Sequence, residues 1–269
     1  MTNLKRAEPT PMTAAELMEI VRNDDTLSPL NLQLPQGAKL DGLEVAPRLT
    51  TSFRRALGRM EYAVQRKSPL ALLVGTHGGG KTTAARVFAA SRKDALFWEV
   101  PPGYDEKRLM ADLCAKLNIT AGEGYHVRTQ VVVDHLSEHP RVLMLDEAQR
   151  LNYRVLDLLK YVADRSRSTV ILIGSPWLEQ QIERRTDISS RVWVRARVEP
   201  LGLDEFRELY KGEGYTPAVL DELHALTGGV LRVLTALLTH LEAALSHQKV
   251  LTRETLTVAH VRRASETVL

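Results

Sequence analysis

The sequence predicts an α/β fold: a parallel sheet flanked by helices, with a small helical domain at its C-terminal end. Three observations predict it. Short apolar runs, "LALLV" (70–74), "ALFWEV" (95–100), "VLMLD" (142–146) and "TVILIG" (169–174), are separated by helical patterns. Continuous apolar strands alternating with helices build a parallel sheet covered on both faces. From Pro200 onward every segment reads as helix. Leu, Ala and Val dominate the apolar set and only 5% of residues are aromatic, which suits helices packed on a sheet better than an aromatic-rich sandwich.

Taken in order, residues 1–48 form an N-terminal arm or linker, broken by Pro29, Pro35 and Pro47, with a short helix at 13–22. Thr13 and Glu16 have capping-box spacing at the start of that helix. From Ser52, Phe53, Leu57, Met60 and Val64 recur at helical spacing with arginines opposite, and Pro69 is expected to stop the helix. After the four apolar strands, "RVWVRARV" (191–198) alternates Val192, Val194 and Ala196 with Arg195 and Arg197, the pattern of a half-exposed edge strand. Thr216-Pro217, Gly228-Gly229 and Thr252 with Thr255 punctuate the C-terminal helices. The expected division is therefore an arm at 1–48, an α/β domain at 49–199 and a helical domain at 200–269.

Composition narrows the classes of function. The 269 residues, 44% of them hydrophobic, suffice for a sizeable core. One cysteine, Cys114, excludes an internal disulfide, and neither a signal-peptide pattern nor a membrane-length apolar run occurs, so a cytoplasmic setting with no membrane partner is expected. The net charge is +3 and the pI about 9.0, a balance that permits nucleic-acid binding. Arginines crowd two places: Arg54, Arg55, Arg59 and Arg66, and then Arg184, Arg185, Arg191, Arg195 and Arg197.

The strongest chemical signal follows the first strand. Gly75-Thr76-His77-Gly78-Gly79-Gly80-Lys81-Thr82 fits G-x-x-x-x-G-K-[ST], between a strand and a helix. Glycines bring backbone N–H groups close to an anion, and the helix start adds partial positive charge. Lys81 is expected on the β and γ phosphates, the Thr82 hydroxyl on Mg2+, and Thr83 near the α-phosphate. A plain glycine turn would explain Gly78, Gly79 and Gly80 but not the Lys-Thr pair. His77 occupies a variable motif position and reads as a solvated loop residue.

A second signal is "RVLMLDEAQRL", which sets Asp146 and Glu147 at the C-terminal end of a buried strand, where ligands of open α/β sheets gather. Phosphoryl transfer to water needs one carboxylate to hold magnesium and a group to orient the water; Asp146 suits the first role and Glu147 the second. An acidic helix cap is the alternative for Asp146 alone.

With these motifs the chain resembles the AAA+ ATPases over roughly residues 50–245. "LDEAQRL" and "LIGSPWLEQQI" resemble in particular the transposition regulators that include MuB, TnsC and TniB, although ExeA-like secretion ATPases share the "DEAQ" flavour. The resemblance implies a P-loop AAA+ sheet with a C-terminal helical lid, ATP and Mg2+ as cofactors, and ATP hydrolysis that is slow and stimulated by assembly. It implies that Ser175 stands at the sensor-1 place, where asparagine or threonine is usual. It implies that Arg191 in "DISSRV" is an arginine finger acting on a neighbouring subunit, with Arg184 and Arg185 as rivals, and that Arg232 in "GGVLRVL" is a sensor-2 arginine. It also implies a homo-oligomer, ring or helical filament, on duplex DNA, with a transposase and a targeting protein as partners. Backbone contacts to DNA would come from Lys107, Arg108 and Arg128, helped by Tyr125 and His126, without sequence readout. A helicase loader or an ExeA-like secretion ATPase is the alternative.

Overall fold

Leu70–Gly75 (β1) is buried at all six positions, as are Val142–Asp146 (β3) and Thr169–Gly174 (β4). Strands with no exposed face must lie inside a sheet covered on both sides. A computed structural model describes residues 50–247 and 252–268 of the chain; the expected arm at 1–48 with its helix at 13–22 lies outside the described residues.

With Ala95–Glu99 (β2) and Val192–Val198 (β5), these strands form one sheet in the order β2-β3-β4-β1-β5. The pairs β2–β3, β3–β4 and β1–β4 run parallel, in register at Glu99 with Asp146, Leu145 with Leu172, and Val74 with Gly174. β5 takes the edge and its burial alternates strictly, Val192, Val194, Ala196 and Val198 inward, Trp193, Arg195 and Arg197 outward. This order puts β4 between β1 and β3, so the residue that follows β4 emerges between the ends of the strands that carry the glycine loop and the acidic pair.

The connecting helices are locally specified. Thr50 caps Thr51–Gln65 (α1), its hydroxyl accepting from the Phe53 N–H at 3.0 Å, and Phe53, Leu57 and Met60 are buried while Arg55, Arg59 and Arg66 are exposed. The helix ends four residues before Pro69. Arg66 closes it with a backbone bond to Tyr62, and Lys67 turns the chain away at φ 52, so a left-handed residue rather than the proline makes the stop. Lys81–Ala90 (α2), Glu106–Lys116 (α3), Tyr125–Glu138 (α4), Tyr153–Ser166 (α5), Pro176–Glu183 (α6) and the single turn Thr186–Ser189 (α7) complete this part. Asp105 and Asn152 cap α3 and α5 with side-chain oxygens. A continuous apolar core from Leu70, Leu72 and Trp98 through Leu143, Leu159 and Leu172 to Ile188 and Val192 holds sheet and helices together.

The chain divides into two compact units. Among described residues the first comprises 50–75 and 81–197, the second 76–80 and 198–268. The second unit contains Leu203–Leu209 (α8), Pro217–Thr227 (α9), Leu231–His247 (α10) and Val258–Val268 (α11), around Leu201, Phe206, Leu223, Leu237 and Val261. The Thr252–Thr255 capping box leads into a single 3-10 turn before α11 rather than into the helix itself. Loop residues 76–80 pack with this helical unit: the Arg232 N–H donates to the Gly78 carbonyl at 3.1 Å. Gly78 has φ +76, and a Cβ there would lie 2.7 Å from the Arg232 Cβ, so this position needs glycine twice over.

Candidate functional site

Within the first unit, the end of β3 and the start of α2 meet through one hydrogen bond. The Thr82 hydroxyl donates to Asp146 Oδ2 at 2.7 Å, and the Glu147 N–H donates to Asp146 Oδ1 at 2.9 Å. Asp146 is 3% exposed, and Lys81, the residue before Thr82, is 7% exposed. Asp146 is therefore no helix cap: the short turn Ala148–Arg150 that follows has Glu147 at its cap position and no side-chain cap bond. Two oxygen donors side by side, one anionic, suit a hard divalent cation, and Thr82 and Asp146 are the residues that fit Mg2+.

Glu147 stands in a left-handed conformation, φ 57 and ψ 32. The other described non-glycine residues with positive φ, Lys67, Asn118 and Arg167, all close the C-terminal ends of helices, whereas Glu147 follows a strand. Such a conformation costs of order 1–3 kcal/mol and aims the side chain where regular backbone would not. Its carboxylate is gripped at one oxygen: Gln149 Nε2 donates to Oε2 at 2.7 Å, and Arg150 approaches the same oxygen at 3.5 Å. Gln149 Oε1 in turn accepts the Ser175 N–H at 3.2 Å. Gln149 thus ties Glu147 to the residue after β4. No motif rule singles out Gln149; the nearest sequence signal is its place in "DEAQ" beside the acidic pair.

Ser175 begins α6 without a side-chain cap bond and is half-buried. The arginines of the crowded segment all have partners, two of them sharing Glu179. Arg191 Nε donates to both oxygens of Asp164 at 3.0 Å, Arg197 and Arg195 reach Glu179 at 3.0 and 3.8 Å, Arg184 lies over the Trp177 ring and Arg185 over Tyr153. Arg191, Arg184 and Arg185 are exposed.

In the second unit, Arg232 is the second residue of α10 and exposed, its backbone fastened to Gly78. Gly79 and Gly80 belong to the same loop, with Gly80 at φ +102; Gly75 ends β1 and Thr83 lies in the first turn of α2.

The three basic residues expected on DNA lie on α3 and α4. Lys107 and Arg108 are exposed at the start of α3, Arg108 over the Tyr104 ring. Arg128 is half-buried on α4, close enough for its charge to act on the Cys114 thiol, whose pKa burial nonetheless pushes up. Tyr125 and His126 stack edge to face beside it. Asp105, which weakens the positive field in sequence, is engaged as a cap by the Arg108 N–H at 2.8 Å. No helix among the described residues is long and apolar enough to cross a membrane.

Comparison with known proteins agrees with this geometry. Residues 64–182 match the AAA domain family AAA_22. General secretion pathway protein A of Aeromonas hydrophila is 26% identical over 204 residues, which cover 66% of this chain and 37% of that protein, so the chain spans well under half of that relative's length. Among solved structures, Cdc6p of Pyrobaculum aerophilum is similar with a TM-score of 0.63 and 18% identity, over 92% of this chain and 71% of that one. The Aeropyrum pernix ORC1 protein, solved in complex with DNA, has a TM-score of 0.57 and 19% identity, over 84% of this chain and 66% of its own. At such identities the structural likeness is one of fold. Residues 64–182 thus match an AAA domain, and the chain carries them on a sheet with the AAA+ P-loop fold, followed by a helical region.

Proposed function

We propose that the chain is an ATP-driven transposition regulator. It oligomerises on duplex DNA in the ATP state, recruits or activates a transposase with its targeting protein, and disassembles on hydrolysis. The observation that supports the ATPase part most is the 2.7 Å bond from Thr82 to buried Asp146, with Glu147 next in the chain. A phosphate-loop hydroxyl beside an acidic strand end is the arrangement that metal-assisted phosphoryl transfer requires.

In this reading the loop from Gly75 to Gly80 and Lys81 hold the phosphates, with Thr83 on the α-phosphate side. Thr82 and Asp146 hold Mg2+, which when bound neutralises charge building on the phosphoryl oxygens. Glu147 orients the attacking water and accepts its proton, while Ser175 hydrogen-bonds that water or the γ-phosphate. Arg232 contacts phosphate from the helical unit. Arg191, released from Asp164, supplies positive charge to a neighbour's site, which makes hydrolysis depend on assembly. Its exchangeable carboxylate partner favours it over Arg184 and Arg185, whose guanidinium groups lie over aromatic rings. Lys107, Arg108 and Arg128 would neutralise DNA phosphates, giving salt-sensitive binding without sequence preference. The shared fold with a DNA-bound ORC1 protein is compatible with that role.

The similarity to general secretion pathway protein A favours a second reading, a secretion-associated ATPase acting on an envelope partner. Electron microscopy of the chain with duplex DNA and ATP, ADP or no nucleotide separates the two. Rings or filaments on DNA that need ATP support the first reading; no DNA binding in any nucleotide state refutes it. Glu147→Gln should retain nucleotide and trap the ATP assembly, and unchanged turnover would remove Glu147 from its role.

A further inference from the structure

We infer that Gln149 is the positioning residue for the hydrolytic carboxylate, fixing Glu147 against the end of β4. The inference rests on the reading of Glu147 as the residue that orients water. Its observations are independent of nucleotide motifs. Gln149 Nε2 donates to Glu147 Oε2 at 2.7 Å, and Gln149 Oε1 accepts the Ser175 N–H at 3.2 Å. These two bonds permit a single orientation of the amide. A carboxylate oxygen only accepts and a backbone N–H only donates, so a flipped amide would oppose like groups at both ends.

Three further features make the arrangement rigid. Gln149 belongs to the 3-10 turn Ala148–Arg150, which the Arg150 N–H closes back onto the Glu147 carbonyl at 3.0 Å. The amide lies against Gly174, where a Cβ would come 2.5 Å from Gln149 Oε1 and 2.9 Å from Leu178 Cδ2, so only glycine lets the glutamine through. Arg150 approaches Glu147 Oε2 as well, but its guanidinium is also held by Glu99 at 3.1 Å and the Val100 carbonyl at 2.7 Å. Both donors thus converge on Oε2, which leaves Oε1 as the oxygen to face a water.

The consequence is a direct mechanical link. Ser175 is the first residue after β4, and β4 lies between the strands of the glycine loop and of the acidic pair. Any displacement of the Ser175 backbone is passed by one side chain to the Glu147 carboxylate. Ser175 then contributes through its N–H whatever its hydroxyl does.

The test is steady-state turnover of the full chain on duplex DNA with Mg-ATP, for Gln149→Glu, Gln149→Leu, Glu147→Gln and Glu147→Gln combined with Gln149→Glu. Gln149→Glu keeps the size and the acceptor for Ser175 but sets a second carboxylate against Glu147. We expect kcat to fall about ten- to a hundredfold in both Gln149 variants, since small misplacement of a reacting group costs that much. The KM for ATP, the affinity for a non-hydrolysable ATP analogue and the unfolding temperature should stay near wild type, which a merely structural role would not allow. In the Glu147→Gln background the second substitution should lower the residual rate no further. Wild-type kcat in Gln149→Glu, or an undiminished further loss in the double variant, overturns the inference. Wild-type turnover in Glu147→Gln instead overturns the role of Glu147 itself.

Discussion

Replacing Asp146 by asparagine separates what this carboxylate does for the fold from what it does for nucleotide. In the protein it accepts two hydrogen bonds, from Thr82 at 2.7 Å and from the Glu147 N–H at 2.9 Å, and is 3% exposed. Asparagine can keep both contacts: its oxygen accepts the Glu147 N–H, and its NH2 donates to the Thr82 hydroxyl, which rotates to accept. What is lost is charge assistance, so the fold should weaken by about 1 kcal/mol, lowering the unfolding temperature by about 2–4 °C in a chain of this size. The nucleotide site loses an anionic oxygen of its cation pair. Hydrogen bonds and contacts to charged groups carry about 1.5–3 kcal/mol, so the gain in ATP affinity brought by Mg2+ should shrink about ten- to a hundredfold. Titration of a fluorescent ATP analogue with Mg2+ and with EDTA reads this factor, and thermal unfolding without nucleotide reads the first. If Mg2+ strengthens analogue binding by the same factor in variant and wild type, Asp146 does not hold the metal. If the variant unfolds far below the expected range, asparagine does not keep both contacts.

Other expectations follow from the same structure. Arg191→Ala removes only an exposed pair with Asp164, which contributes about 0–1 kcal/mol, so the unfolding temperature should barely move while turnover of the assembled protein drops about a thousandfold; mixing with an excess of Lys81→Ala protein, which keeps Arg191, should restore part of the turnover if the arginine acts between subunits. Burial raises the Asp94 pKa, but the bidentate Arg92 outweighs it and holds the carboxyl below its ordinary value. That contribution is complete above the unfolded pKa and disappears as pH falls through the lower folded value, so wild type should lose stability below about pH 4. Asp94→Asn should be the less stable protein at neutral pH with a flatter acid limb, as thermal unfolding against pH will show. Leu172→Ala, at a fully buried position of the interior strand β4, should cost about 2–5 kcal/mol in chemical denaturation.

How far the sequence reveals this molecule depends on the range of each interaction. Strands β1, β3 and β4 were legible because burial on both faces leaves an unbroken apolar run, and β5 because an edge strand alternates. The phosphate loop was legible because the backbone conformation itself demands glycines, and Lys81 and Thr82 follow at fixed spacing. The stop of α1 was misread: Lys67 takes φ 52, which residue type does not announce, while Pro69 stands further on and attracts attention. The local partners of the crowded arginines were hidden because Asp164 and Glu179 lie 27 and 18 residues from Arg191 and Arg197. Gln149 was invisible for the same reason, its second partner lying 26 residues away and brought near only by the pairing of β3 with β4. Arg128 shows the reverse case, a basic residue in a plausible place that the packing of α3 and α4 turns partly inward.

The left-handed backbone at Glu147 has an evolutionary price attached to it. Asparagine tolerates that conformation far better than a long side chain does, so Glu147→Asn would relieve part of a strain of order 1–3 kcal/mol while removing the proposed base. Selection for thermal robustness alone would therefore favour losing the reactive side chain, and only a demand for turnover opposes that loss. Lineages in which that demand lapses are expected to keep the fold and the phosphate loop, and to drift at residue 147 first, becoming nucleotide-sensing proteins that no longer reset themselves.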